Sequence, residues 1–103
     1  MNEIARWTTP SIIYKPSLVE VADVADICLT IKQLDSSVLE KGMDEATVSA
    51  DGFVWHFSQE ETSLLSTIKN ATVKIDYKDS SGERYTTREF GYKISDSGKQ
   101  EVM

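Results

Sequence analysis

The chain has few side chains of the kinds that catalyse reactions. Its one histidine, His56, lies in the stretch WHFSQEETSLL, and Glu60 and Glu61 follow closely. A histidine near carboxylates can serve in acid–base catalysis. However, His56 alternates with Trp55 and Phe57, so on a strand it points away from the aromatic face. We therefore interpret His56 as a solvent-facing strand residue.

The two glutamates have a structural explanation. Ser58 and Glu61 form an S-x-x-E capping box, in which each side chain accepts from the backbone N–H of the other residue. Glu60 and Glu61 also lie in the first helical turn, where the helix dipole favours negative charge. The pattern predicts a strand that passes into one short helical turn, with Leu64 and Leu65 packed against the sheets.

The remaining candidate ligands do not form a recognisable site. A zinc site needs several His, Cys or carboxylate ligands, and the chain has one histidine and one cysteine, Cys28. Asp23 and Asp26 could bind calcium, but the Gly-containing ligand loop is missing, so we assign them to loop solvation. Cys28 lies mid-strand, as a small half-buried apolar residue does. The sequence contains no nucleophile elbow, P-loop or dinucleotide fingerprint. We predict no catalytic, cofactor or metal residues and no enzymatic activity.

Composition narrows the class of protein further. The 103 residues correspond to a single domain, residues 1–103, and they are 40% hydrophobic and 27% charged. The net charge of −6, with Lys and Arg scattered, argues against a nucleic-acid partner. No secretory signal is visible at the N-terminus, and no apolar run approaches the roughly 20 residues that cross a bilayer. We expect a protein made in the cytoplasm and no membrane partner.

Alternating hydrophobicity is the dominant pattern. In ICLTI, Ile27, Leu29 and Ile31 share one face, and in ATVKIDYK the shared face is made of Ala71, Val73, Ile75 and Tyr77. FGYKI repeats the pattern with Phe90, Tyr92 and Ile94. This alternation is typical of half-buried antiparallel strands. SVLEKG is a further short strand, and DVAD is a turn or a single helical turn.

Two hairpins follow from turn residues. Asp51-Gly52 predicts a two-residue turn with both residues at positive φ, so that Ala50 pairs with Phe53, Val48 with Trp55 and Ala46 with Phe57. A second turn spans Asp79 to Gly82, with Gly82 in the left-handed position. Beyond it, a simple loop would turn Arg84 and Arg88 toward the core, and a bulge near Thr86–Thr87 would relieve this. The register there stays open.

The expected fold is all-β: an immunoglobulin-like antiparallel β-sandwich of about seven short strands with one short helical turn. SIIYK, between Pro10 and Pro16, is predicted as an edge strand. Its residues Ile12, Ile13 and Tyr14 form the candidate interaction edge, and the polar tail SDSGKQEVM is a second docking candidate. The four tyrosines could line a sugar-binding face, although core packing explains strand aromatics more often.

Several of these segments also resemble a known family. TTP before a short strand, ICLTIKQ, FSQEET, VKIDYKDSSG and the closing QEVM are similar, in the same order, to motifs of small prophage proteins from Gram-positive bacteria. The resemblance covers nearly the whole chain. It departs at Phe57-Ser58, where the family more often has Leu-Thr, and a serine caps a helix as threonine does. The hairpin after Gly82 is one residue longer than usual.

The resemblance implies a β-sandwich encoded among tail and baseplate genes, similar to the N-terminal domain of phage upper baseplate proteins. It brings no catalytic residues. The expected partners are other phage structural proteins or further copies of the chain, within a virion. The alternative is a carbohydrate- or protein-binding module.

Overall fold

A computed structural model describes residues 2–34, 36–87 and 89–96. This part of the chain contains nine strands: β1 (Asn2–Ala5), β2 (Ser11–Tyr14), β3 (Val24–Gln33), β4 (Ser36–Lys41), β5 (Ala46–Ser49), β6 (Gly52–His56), β7 (Ala71–Asp79), β8 (Arg84–Thr86) and β9 (Phe90–Ser95). One short α-helix, α1, spans Gln59–Thr62, and single 3-10 turns span Val21–Asp23 and Met43–Glu45. The all-β prediction is confirmed. The helices are too short and polar to cross a membrane in the part described.

The strands form two sheets. The large sheet has the order β1-β9-β7-β3-β4, with β8 also paired to β7, and the small sheet has the order β2-β6-β5. All pairs are antiparallel except β1 with β9, which are parallel. The expected fold of about seven antiparallel strands is therefore corrected to nine strands in the described residues, with one parallel pair in the large sheet. β1 escaped prediction because NEIA contains a single large apolar residue, Ile4, and so shows no alternation.

The alternation in the two longest strands is confirmed. Ile27, Leu29 and Ile31 of β3 lie opposite Tyr77, Ile75 and Val73 of β7, and all six are buried. Phe53 and Trp55 of the small sheet, together with Phe57, complete the same apolar cluster. Both sheets therefore share one core.

A buried glutamine closes one end of this core. Gln33 Nε2 donates to the carbonyls of Ser66 and Lys69 at 2.8 and 3.1 Å, and its Oε1 accepts from the Ser66 N–H at 2.9 Å. These bonds replace the water that the backbone of the 66–69 loop would otherwise bind. The loop is thereby held against β3.

The β5–β6 hairpin differs from its prediction. Ala50 and Asp51 form the loop, and Gly52 is already the first residue of β6, paired with Ser49. Gly52 has the predicted positive φ, at +131°, but Asp51 does not have positive φ. Trp55 consequently pairs with Ala46 instead of Val48. A shift of two residues leaves the faces unchanged, because side chains alternate with period two.

The turn of the second hairpin is confirmed, and of the two registers left open beyond it the structure has the one with a bulge. Gly82 has φ +90°, and its N–H donates to Asp79 O. Asp76 and Val73 are three positions apart in β7, but their partners, Thr86 and Phe90, are four positions apart. The extra residue is a bulge, at which Thr87 donates its N–H to Ile75 O and accepts from Ile75 N–H through Oγ1.

The turn and the bulge together decide which side chains of β8 and β9 face inward. Arg84 pairs with Lys78 on the outer face, so the inward direction that a simple loop would produce is not adopted, and Arg88 lies outside the described residues. Ile94 is buried, whereas Phe90, opposite the buried Val73, is 44% exposed. DVAD is the end of the first 3-10 turn and the start of β3.

Leu34, between β3 and β4, has φ +56° and is 71% exposed. A left-handed conformation costs a non-glycine residue roughly 1–2 kcal/mol, and asparagine tolerates it better. We expect Leu34→Asn to raise the free energy of unfolding by roughly 0.5–1 kcal/mol in denaturant titration. Leu64→Asn is the matched control, since Leu64 is 63% exposed without positive φ. An equal gain at both positions would assign the effect to polarity instead of backbone strain.

Candidate functional site

The predicted interaction edge is β2, and its three residues do not lie on one surface. Ile12 is buried, Ile13 is 68% exposed, and Tyr14 is half-buried. This alternation follows from the strand itself, because successive side chains point to opposite faces. The Ile13 side chain therefore lies on the outer face of the small sheet, beside its cross-strand partner Val54.

The hydrogen-bond pattern shows which backbone groups of β2 are free. The Phe57 N–H donates to Pro10 O at 3.0 Å, so residues 10, 12 and 14 direct their backbone groups toward β6. In an antiparallel pair the intervening residues point their N–H and C=O away from the partner strand. No strand of residues 2–34, 36–87 and 89–96 pairs with this side of β2, so Ser11 and Ile13 present their backbone groups to an open edge. Ile13 combines an open backbone with an exposed aliphatic side chain.

Tyr14 joins a column of tyrosine rings. Its ring centroid lies 6.0 Å from that of Tyr77, which stacks on Tyr85 at 5.0 Å with an interplanar angle of 16°. Burial and a hydrogen bond with Tyr77 raise the pKa of Tyr14 to about 12. Tyr77 and Tyr85 each cover one ring face of the other, and Tyr14 meets Tyr77 at an interplanar angle of 51°, so this column contributes to packing between the two sheets.

The column ends on the β7–β8 turn. Tyr85 donates its hydroxyl to Asp79 Oδ2 at 3.1 Å, while Asp79 Oδ1 accepts from the Ser81 hydroxyl and from the N–H groups of Ser81 and Glu83. The Ser81 hydroxyl is the main cause that lowers the pKa of Asp79. This carboxylate organises the turn and thus has a structural role.

β5, on the other side of β6, is a second edge with no neighbouring strand in the described part of the chain, and it was not predicted. Thr47 and Ser49 lie opposite Val54 and Gly52, whose backbone N–H and C=O groups point away from β2 and toward β5. Ala46 and Val48 therefore point their own backbone groups away from β6. The Ala46 N–H is already bonded to Met43 O, which agrees with this direction. Val48 is 48% exposed although it faces the core side of the sheet. The uncharged run ATVS is the signal that could have identified this edge.

The segment after β6 has the predicted geometry. Ser58 Oγ accepts from the Glu61 N–H at 3.1 Å, and Glu61 Oε1 accepts from the Ser58 N–H at 2.8 Å. His56 is exposed, and its Nδ1 lies 2.8 Å from Ser11 Oγ. Leu65 is buried, but Leu64 is 63% exposed, so its predicted packing is wrong. α1 ends at Thr62, and the turn that follows it directs only one of the two leucines inward.

Glu61 also holds a buried lysine. Lys41 Nζ lies 2.8 Å from Glu61 Oε2, 3.6 Å from Glu45 Oε2 and 5.2 Å from the centre of the Phe57 ring. The Lys41 side chain is only 9% exposed. Removing the Glu61 charge would leave the buried ammonium with only the longer contact to Glu45. The contact ties α1 to the end of β4.

This ion pair predicts a pH dependence. Burial alone would raise the pKa of Glu61, but Lys41 and the hydrogen bonds from Ser58 outweigh it and lower the pKa below 4.5. Because the folded-state pKa is depressed, the stabilisation is complete above pH 4.5 and is lost as pH falls through the folded value.

We expect Glu61→Gln to be less stable than the wild type at neutral pH, with the difference shrinking below pH 4.5 in urea titrations at successive pH values. Glu45→Gln is the control, since that contact is longer and Glu45 is 47% exposed. A difference that stays constant from pH 7 to pH 3 would show that the Glu61 charge does not stabilise the fold.

The other candidate ligand residues named from the sequence do not come together in one site. Cys28 is half-buried on the outer face of β3, and burial raises the pKa of its thiol. Asp26 Oδ1 accepts from the Ile27 N–H, and Asp23 ends the first 3-10 turn. Within residues 2–34, 36–87 and 89–96, no three His, Cys, Asp or Glu side chains come together as a metal site requires.

The tail SDSGKQEVM is described only at Ser95 and Asp96, so this docking candidate lies largely outside the described residues. Comparisons with models of protein families, with characterised proteins and with solved structures find no match for the chain.

Proposed function

We propose that this chain is a non-enzymatic structural or assembly protein of a phage or prophage tail or baseplate. In this proposal its two sheets form an immunoglobulin-like sandwich and act through protein–protein contacts. The observation that carries the proposal is the open β2 edge, where Ile13 presents free backbone groups and a side chain that is 68% exposed. Unpaired edges of this kind accept a strand from another chain.

The flanking residues support a limited contact at this edge. Pro10 precedes β2 and Pro16 follows it closely, and proline holds φ near −65°, which departs from the φ of a regular strand. β2 itself spans only four residues, so strand pairing at this edge is short. A short strand bounded in this way suits a defined partner better than unrestricted aggregation.

Ile13→Lys tests the proposal. Because the Ile13 side chain lies in solvent, we expect the variant to fold normally but to be lost from purified particles, as measured by mass spectrometry of their proteins. Leu18→Lys is the matched control, since Leu18 is 72% exposed on a loop, and this variant should be incorporated. Incorporation of both variants at wild-type levels, or absence of the wild-type protein from the particles, would contradict the proposal.

Ile12 requires a different expectation from its neighbour. The sequence places Ile12 in the candidate interaction edge, but Ile12 is 7% exposed and lies in the core cluster. Ile12→Lys should therefore unfold the protein, because burying an unpaired ammonium costs far more than a typical domain can lose. Only Ile13 and Tyr14 remain as candidate contact residues of the original three.

A carbohydrate-binding function has weaker support. An open cleft lies between the 15–21 loop and the β7–β8 turn, and Lys15, Glu20, Ser80 and Ser81 are among its polar lining residues. No tyrosine lines this cleft. Tyr77 and Tyr85 line a second open cleft, between β3, β7 and β8, where their rings stack on each other. Sugar sites generally use an aromatic face, so the edge contact is the better supported function.

A further inference from the structure

Both open edges of the small sheet belong to one continuous ladder, β2-β6-β5. We propose that these edges join between copies, so that β5 of one copy pairs in parallel with β2 of the next. The small sheet would then continue from copy to copy. This inference rests on the proposed function, because it takes the β2 edge as a contact site, and it names a second copy of this chain as the occupant.

The strand directions permit this joint. β2 and β5 are each antiparallel to β6, so they run parallel to each other within one copy. Copies that follow one another in the same orientation therefore place β5 beside the next β2 as parallel neighbours. The contact joins two different surfaces, so it leads to a ring or a fibre instead of a closed two-fold dimer.

The free backbone groups of the two edges are complementary. In a parallel ladder a residue bonds to the residues before and after the one beside it. With Val48 placed beside Tyr14 of the next copy, the Val48 N–H donates to Ile13 O and Val48 O accepts from the Lys15 N–H. The Ile13 N–H of the next copy donates to Ala46 O. The Ala46 N–H is not needed, and it is already bonded to Met43 O.

The same register matches the two faces of the sheet. Val48 and Tyr14 both point toward the core side, and Ala46 comes beside the inward-facing Ile12. On the outer side Thr47 comes beside Ile13. The joint would therefore cover Val48, now 48% exposed, and Ile13, now 68% exposed. A register shifted by one residue would place core-facing side chains against solvent-facing ones.

The charges near the joint are compatible with it. β5 carries no charged side chain between Ala46 and Ser49, whereas the edge strand β4 carries Glu40 and Lys41. Charged side chains are a common protection of edges against pairing, and β5 lacks it. Lys15 lies just beyond β2, and Asp51 lies in the hairpin beyond β5, so the two residues bring opposite charges to the same end of the joint.

The unequal widths of the two sheets give the assembly a curvature. The large sheet is five strands wide and the small sheet three. Strands lie about 4.8 Å apart and packed sheets about 10 Å apart, so neighbouring copies must tilt until the small sheets face inward. A constant tilt in one direction favours a closed ring over a straight fibre.

A mixing experiment with two proline variants tests the joint. Ile13→Pro removes a free N–H from β2, and Val48→Pro removes one from β5, and neither N–H pairs with β6. We expect the wild type to associate with rising concentration in sedimentation velocity and each variant alone to be monomeric. A mixture of the two should form a 1:1 dimer, because each variant keeps the edge that the other has lost.

Self-association of one variant alone would indicate a joint between like edges and would overturn the proposal. Two monomeric variants that do not combine would overturn it as well. Circular dichroism of each variant checks that it is folded.

If a proline variant does not fold, charge pairs at Thr47 and Ile13 decide instead. Both side chains point to solvent, and Val54 separates them within one copy. Thr47→Glu with Ile13→Glu should raise the concentration for half-association at least tenfold, whereas Thr47→Glu with Ile13→Lys should restore it. Equal association of the two double variants would overturn the proposal.

A wild-type protein that stays monomeric at millimolar concentration would also overturn the joint. The proposed function would survive that result if Ile13→Lys were still lost from particles, since the β2 edge would then serve a different chain. If Ile13→Lys failed to associate in solution but was incorporated into particles at the wild-type level, the proposed function of the β2 edge would be contradicted.

Discussion

Gly52→Val is expected to lower the free energy of unfolding by about 3 kcal/mol or more. Gly52 has φ +131°, a region that residues with a Cβ rarely adopt. A Cβ there would also lie 2.5 Å from the carbonyl oxygen of Tyr14, and a backbone atom cannot move aside as a side chain can. The valine would therefore separate β2 from β6. Thermal and urea unfolding measure the loss.

Gly82→Val provides the matched control. Gly82 has φ +90°, but nothing lies within 4 Å of a Cβ at that position. Only the conformational cost remains, roughly 1–2 kcal/mol. Equal losses at both glycines would show that the contact with Tyr14 is unimportant.

Trp55→Ala is expected to destabilise the protein by about 3–5 kcal/mol, a large share of a typical domain's stability. The Trp55 side chain is fully buried, stacks near Phe53 with ring centroids 6.1 Å apart, and donates its Nε1–H to Gly42 O at 3.1 Å. Alanine would leave a cavity between the two sheets and remove one of the two hydrogen bonds that Gly42 O accepts, the other coming from the Glu45 N–H. Equilibrium unfolding monitored by far-UV circular dichroism measures the change.

His56→Ala is the control from the same strand. His56 is exposed, and its hydrogen bond with Ser11 lies at the surface, so the change in stability should stay below about 0.5 kcal/mol. Losses of similar size at Trp55 and His56 would mean that the strand does not present these two side chains to opposite environments.

The inward and outward faces of a strand were predictable from the sequence where the strand is long and buried on one side. β3 and β7 have ten and nine residues, so their alternation is repeated enough to be recognised in the sequence. The capping box at Ser58 was predictable for a related reason, because both of its hydrogen bonds join residues only three positions apart.

Partners across the sheets were harder to predict. The β5–β6 register depends on Gly52, whose conformation is tied to the close approach of Tyr14 from a strand 38 positions earlier. The parallel pairing of β1 with β9 joins the two ends of the described chain. Neither contact leaves a local pattern, because both are made between segments far apart in sequence.

The candidate site shows the same division. The short strand between Pro10 and Pro16 was recognisable from the sequence as an edge. Its backbone groups point toward β6 at Ile12 and to the open side at Ile13, and this direction follows from the hydrogen bond between Phe57 N–H and Pro10 O. The β5 edge became visible only once β6 was placed between β5 and β2.

The sequence by itself determined the all-β class, the inward faces of the long strands, the helix cap and the turn at Gly82, because each depends on residues close together in the chain. Only the tertiary structure decided the strand order, the parallel pair, the burial of Lys41 against Glu61 and the identity of the open edges. These depend on which distant segments meet. Backbone groups are the same in every residue, so the sequence carries little record of which of them remain unpaired.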